Sequence, residues 1–196
     1  LPPTQSSFEP SVSDDGRFVL FRSASPDLLG PGKDTNGAED LFVRDRVLGI
    51  TERVSVGTGG VEPAGHDGVL SGLVSPDGTR ALFVSGASDL VPGDTNGQLD
   101  VFVHDLWTGE TSRESLDSGG VPASRGSLSS SISADGRHVA FVSRAANLVP
   151  NDSNRTYDVF VRDRLSGMTS CLSVDSDGIV GNSESLVPSI SADGRF

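Results

Sequence analysis

Three short loops carry the residues best suited to chemistry. They read Asp34-Thr35-Asn36-Gly37-Ala38-Glu39-Asp40, Asp94-Thr95-Asn96-Gly97-Gln98-Leu99-Asp100 and Asp152-Ser153-Asn154-Arg155-Thr156-Tyr157-Asp158. Side-chain oxygens at positions one, three and seven, with a backbone carbonyl near position five, suit a hard cation such as calcium. The candidate metal ligands are therefore Asp34, Asn36, Asp40, Asp94, Asn96, Asp100, Asp152, Asn154 and Asp158. Each loop brings two carboxylates at the ligand positions and no bidentate glutamate at the expected distance, so calcium would bind weakly, at about 0.1–1 mM. The same residues equally make a structural turn, because Asp and Asn cap bends through backbone N–H groups and Asn-Gly supplies positive φ. Recurrence does not separate the two readings, since a repeated unit repeats its turns. In the third loop Arg155 stands where the others have glycine and adds a positive charge.

No other constellation points to catalysis. Serine is abundant, yet no Gly-x-Ser-x-Gly elbow occurs. His66, His104 and His138 fall at unrelated positions and form no ligand pair. Gly57-Thr58-Gly59-Gly60 precedes no helical pattern, so it is no phosphate loop. The single cysteine, Cys171, excludes an internal disulfide and a cysteine-based metal site. The expectation is a chain without catalytic residues of its own. A net charge of −12, with basic residues scattered singly, argues against nucleic acid and against an anionic membrane surface. No stretch approaches the roughly 18 apolar residues of a membrane span.

The elements that hold these loops follow from an internal repeat. An Asp-Gly turn has its glycine at Gly16, Gly78, Gly136 and Gly194, spaced 62, 58 and 58 residues apart. A second marker, Asp followed by an apolar triplet, keeps step at Asp40, Asp100 and Asp158. Each unit reads as four strands. A serine-rich strand leads into the Asp-Gly turn, a strong hairpin signal. The second and third strands, such as Ala81-Leu82-Phe83-Val84 and Val101-Phe102-Val103, are apolar on both faces, as the middle of a stacked sheet requires. A turn at Gly49, Gly109 or Gly167 leads to an alternating fourth strand, outermost in its sheet. The fold expected is all-β: a β-propeller of four-stranded antiparallel blades, three blades plus the start of a fourth. The blades run at about 8–66, 67–125 and 126–184, with the next beginning at 185–196. A β-trefoil also has three four-stranded repeats, but would not restart a fourth unit at Pro188-Ser189-Ile190-Ser191-Ala192-Asp193-Gly194-Arg195-Phe196.

The repeated residues resemble the TolB-like, WD-type propeller repeat of bacterial proteins. The motifs are Ser75-Pro76-Asp77-Gly78, Ser133-Ala134-Asp135-Gly136 and Ser191-Ala192-Asp193-Gly194. Their companion strands are Asp40-Leu41-Phe42-Val43-Arg44-Asp45, Asp100-Val101-Phe102-Val103-His104-Asp105 and Asp158-Val159-Phe160-Val161-Arg162-Asp163. The resemblance implies a fragment of a larger, six-bladed or similar ring, extracellular or periplasmic, that engages a protein or cell-surface ligand. Two copies meeting to complete a ring are the lesser option, since three blades alone leave apolar terminal faces. The function expected is a non-catalytic binding or scaffold module with loops that calcium could stiffen. The alternative is the propeller part of a hydrolase whose catalytic domain lies outside these residues. The acidic loops also resemble the calcium loops of EF-hands and integrin-type propellers, but are two residues shorter. The Asp-Gly turns resemble the sialidase Asp-box without its Trp or the residue between Asp and Gly.

Seven further positions carry expectations. Cys171 aligns with Arg53 and Arg113 and reads as an exposed, unperturbed thiol on the outward face of the fourth strand. Glu114, opposite in polarity to its counterparts Val54 and Leu172, reads as a contact surface or a wet blade edge. Trp107 sits in a turn and reads as an edge cover or a partner anchor. Ser11, Ser13, Ser131 and Ser133 should line an axial channel.

Overall fold

The structure, a computed structural model, describes residues 6–64 and 68–196. His66, and with it the expected blade boundary at 66–67, lies outside the described residues. Twelve strands are present among the described residues, and no helix. The first sheet holds β1 (Ser7–Val12), β2 (Phe18–Ser23), β3 (Asp40–Asp45) and β4 (Ile50–Arg53). The second holds β5 (Val69–Val74), β6 (Arg80–Ser85), β7 (Asp100–Asp105) and β8 (Thr111–Arg113). The third holds β9 (Ser127–Ile132), β10 (His138–Ser143), β11 (Asp158–Asp163) and β12 (Met168–Cys171). Each sheet is an antiparallel meander in sequence order. The expected blades are therefore present, stacked one on the next.

Burial explains the stacking. In the second sheet Ala81, Phe83 and Phe102 pack toward the first sheet, in one core with Leu20, Leu41, Val43 and Val54. Leu82, Val84, Val101 and Val103 pack the other way, in a second core with Val139, Phe141 and Phe160 of the third sheet. A strand apolar on both faces is thus buried on both faces. In every sheet the two central strands pair a phenylalanine across the ladder, with ring centroids 5.9 Å apart for Phe21–Phe42, 5.5 Å for Phe83–Phe102 and 5.8 Å for Phe141–Phe160. Such pairs add about 1 kcal/mol each beyond simple burial.

The first strands sit innermost, where β5 packs on both β1 and β9. Pairing with the second strand slips within each first strand, between Phe8 and Ser11, between Val69 and Ser71, and opposite Phe141 and Val142. A bulge of this kind bends the strand. Ser13 and Ser133 do not line a channel. Their hydroxyls turn into the Asp-Gly turns, donating to Asp15 and Asp135 at 2.6 Å and accepting the N–H of Phe18 and His138. A short buried hydroxyl satisfies the turn better than it would face water.

Neighbouring sheets are also latched at their outer edges. After β4 the chain forms a small hairpin with a bridge between Gly57 and Val61, and after β8 one between Leu116 and Pro122. The first hairpin meets β8, where Thr111 Oγ1 donates to the Val56 carbonyl at 2.5 Å. The second meets β12, where Thr169 Oγ1 donates to the Leu116 carbonyl at 2.6 Å. Each blade thereby covers the exposed strand edge of the next. The segment 185–196 repeats the opening of a blade. The Ser185 N–H bonds the Tyr157 carbonyl at 2.7 Å, as that of Ser127 bonds Leu99 at 2.8 Å, and the Ala134 N–H reaches the Ala192 carbonyl at 2.9 Å.

Antiparallel order gives the molecule two unlike ends. One end carries the Asp-Gly turns and the turns between third and fourth strands. The opposite end carries the three acidic loops.

Candidate functional site

Each acidic loop is built around its asparagine. The side-chain oxygens of Asn36, Asn96 and Asn154 accept the N–H two residues on, at 2.8, 2.9 and 2.8 Å. Their amide nitrogens donate to Asp40, Asp100 and Asp158 at 3.2, 2.8 and 2.7 Å. That seventh-position aspartate opens the third strand and is buried in every blade. Its other oxygen accepts a serine hydroxyl from beyond the outer strand: Ser55 at 2.6 Å, Ser115 at 2.5 Å and Ser173 at 2.7 Å. The same three serines accept the N–H of Leu41, Val101 and Val159. The loops therefore bring together the nine residues expected from the repeat, and add three serines.

The cationic element comes from the chain itself in two loops. Arg53 and Arg113 pair in register with Phe42 and Phe102, and their guanidinium groups turn into the acidic loops. Arg53 Nη1 lies 2.9 Å from Asp40 and 3.5 Å from Asp34, and also bonds Glu62. Arg113 Nη1 lies 3.0 Å from Asp94 and 3.4 Å from Asp100. Both arginines are almost fully buried, contrary to an outward reading of their positions. Removing one partner of a buried pair typically costs about 3–5 kcal/mol, so these arginines are structural counter-charges. At Asp34, Asp40 and Glu62, three carboxylates within 4.8 Å of one another, a calcium ion would have to displace Arg53.

Their electrostatics follow. Burial and the charge of Asp40 raise the Asp34 carboxyl above its ordinary value despite Arg53. Burial opposes ionisation of Glu62 too, but hydrogen bonds from the Thr35 hydroxyl and N–H, together with Arg53, prevail and hold it at about 2. Burial likewise raises Asp100 against the pull of Ser115, Asn96 and Arg113.

The third loop differs. Cys171 occupies the same register, opposite Phe160, and no arginine stands there. The cysteine is half-buried, not exposed, because it lies against the core between the second and third sheets. Burial pushes its thiol up, and the nearby charges of Asp158 and Asp152 push it further.

At the opposite end, Asp45, Asp105 and Asp163 accept the N–H groups of their turns. Each also holds an arginine: Arg17 at 2.6 Å, Arg80 at 3.2 Å and Arg137 at 2.6 Å. The Arg17 hydrogen bonds bring Asp45 down to about 2. Glu114 is no contact surface. It is buried between two blades, where Ser112 donates to it at 2.7 Å and Arg164 at 2.9 Å, with Arg162 at 3.4 Å. Two arginines of the next blade explain why a charge replaces an apolar residue there. His104 is buried against Thr111 at 2.9 Å, and burial lowers its pKa.

The same end exposes a row of apolar side chains in equivalent turns. Val47 is 73%, Trp107 66% and Leu165 78% exposed, with Leu48 and Met168 beside them. Trp107 borders a groove of about 120 Å³ shared with Arg17, Phe18, Leu48, Ile50 and Leu106.

The arginines and serines were legible in the repeat. Arg or Cys follows the seventh-position aspartate by 13 residues and Ser by 15 in every unit. Glu62 and the clamp on Glu114 have no such signal.

No protein-family model matches the sequence, and no curated protein matches it. Among solved structures the chain is similar to one assigned to TolB from Agrobacterium tumefaciens, with a TM-score of 0.52 and 17% identity over 97% of this chain and 52% of that one. It is similar to the β-propeller domain of the trilobed protease from Pyrococcus furiosus, which has an open velcro topology. There the TM-score is 0.50 and the identity 14%, over 85% of this chain and 43% of that one. TolB from Acinetobacter baumannii shares 22% identity at a TM-score of 0.48, over 83% of this chain and 31% of that one. The chain thus spans about half or less of the structures it matches. The likenesses to the Agrobacterium tumefaciens structure and to the trilobed protease domain show the β-propeller fold.

Proposed function

Proceeding from a TolB-like β-propeller fold, we propose that the chain is a non-catalytic binding module whose turns at one end recognise a protein or cell-surface ligand. The observation that carries this reading is the row of Val47, Leu48, Trp107 and Leu165, exposed in the equivalent turn of three successive blades. Exposed apolar side chains gathered at one end mark interaction sites, Leu48 and Trp107 line one groove, and tryptophan is enriched among binding hot spots. The arginines Arg17, Arg80 and Arg137 at the same end give such a surface polar neighbours. A net charge of −12 disfavours nucleic acid as the partner. Among the described residues no helix is long and apolar enough to cross a membrane. The reading places the module outside the cytoplasm, as the TolB-like resemblance implies.

A propeller that serves a hydrolase is the second reading, favoured by the likeness to a protease's propeller domain. Sequence flanking the chain separates the two: a hydrolase motif supports the second reading, further blades alone the first.

The test is site-specific photocrosslinking in the producing cell, with the probe at position 107 and a control at the exposed Thr95 on the opposite end. A discrete adduct at position 107 that is weaker or absent at position 95 is expected. Equal capture at both positions, or none at position 107, defeats the proposal.

A further inference from the structure

The step between the first two blades is open where the step between the second and third is filled. Arg46, Leu106 and Arg164 hold one position in the three blades, where the N–H of each bonds the carbonyl of Arg17, Thr79 and Arg137. From that position Arg164 reaches back to the preceding blade. Its Nε donates to Glu114 at 2.9 Å and its Nη2 to Ser112 at 3.2 Å, while Nη1 donates to the Gly136 carbonyl at 2.8 Å. A guanidinium of the chain itself thereby fills the second step. At the first step the residue is Leu106, and the groove of about 120 Å³ lies there, with Leu48, Ile50, Glu52, Leu106 and Trp107 in its lining.

Glu52 stands where the second blade has Ser112, since they pair with Val43 and Val103 of their third strands. The register that Arg164 contacts one blade later thus carries a carboxylate here. Glu52 is exposed, and among the described residues no arginine, lysine or histidine pairs with it. The other carboxylate of the groove, Asp45, already holds Arg17 at 2.6 Å. On the reading that this end recognises a protein, we propose that its groove takes an arginine side chain of that partner. The guanidinium sits on the Glu52 carboxylate and against the Trp107 ring, and the aliphatic stem runs along Leu48 and Ile50. A guanidinium pairs with carboxylates through a planar fork of N–H donors and stacks on aromatic rings, so a carboxylate beside a tryptophan meets both demands. The net charge of −12 draws a basic segment toward the molecule.

Trp107 is the only tryptophan of the chain, so its fluorescence reports on the groove directly. The purified protein is titrated with acetyl-Gly-Arg-Gly-amide and with the same peptide carrying citrulline, which has the shape of arginine without its charge. Expected are a saturable change in Trp107 emission with the arginine peptide and binding of the citrulline peptide at least roughly fivefold weaker. Glu52→Gln should weaken binding of the arginine peptide about threefold to fivefold. Glu184→Gln, which removes an exposed carboxylate elsewhere, should leave it unchanged. Leu106→Arg gives the first step the guanidinium of the second and should abolish binding. The proposal is overturned if the two peptides bind alike, if the arginine peptide leaves the emission unchanged, or if Glu52→Gln or Leu106→Arg binds as tightly as the parent. A crosslinked adduct at position 107 in the cell, with no preference for arginine in the titration, would keep the binding module and overturn the arginine site alone.

Discussion

A carboxylate takes its pKa from its neighbours, and Glu62 shows the balance. Burial alone would raise it, yet two Thr35 hydrogen bonds and Arg53 bring it to about 2. Its ordinary value is 4.5, so the folded state holds fewer protons than the unfolded chain between those values. The stability it contributes is complete above its ordinary value and is lost as pH falls toward about 2. Asp45, also held at about 2, adds to the same acid-side loss. We expect the urea midpoint of the parent to exceed that of Glu62→Gln at neutral pH, and the gap to close on acidification. A gap that does not change with pH would show that Glu62 stabilises through packing alone.

Among the loops, backbone conformation separates the third from the first two. Gly37 and Gly97 have φ of +67° and +60°, a region glycine enters freely. Arg155 holds φ at +60° in the same position, against its Cβ. Arg155→Gly should therefore stabilise the protein by about 1 kcal/mol, seen as a higher denaturation midpoint. No gain would mean that Arg155 makes a compensating interaction in solution. The glycine pattern was legible in the sequence, as was the arginine, but the sign of φ needed the backbone. At this scale the repeat was informative because four strands per unit leave little freedom for register. Buried polar partners between units, such as Glu114 with Arg162 and Arg164, are set by which blade follows which, and periodicity within one unit does not reveal them.

For the molecule as a whole, the two terminal sheets decide solution behaviour. On the third sheet Ala140, Val159, Val161 and Leu172 line a groove of about 500 Å³ together with Pro188, Ile190 and Phe196. An interior sheet such as the second buries both of its faces, whereas this one presents apolar side chains to solvent. We expect the isolated chain to associate with itself, with sedimentation showing a weight that rises with concentration. A monomer that persists at high concentration would show that the segment 185–196 covers this face well enough. The net charge of −12 opposes association, so added salt should strengthen it.

The sequence by itself determined the strand count, the stacking and the positions of the acidic loops. Period, alternation and turn residues are local, and each repeats along the chain. Only the tertiary structure decided what each loop carboxylate faces. Arg53 and Arg113 reach the loops from the far strand of the same blade, 13 residues along the chain from the seventh-position aspartate, and bury their guanidinium groups there. Local pattern placed Cys171 on an open face. Packing left it half-buried, because a blade's outer strand borders the core shared with the sheet before it.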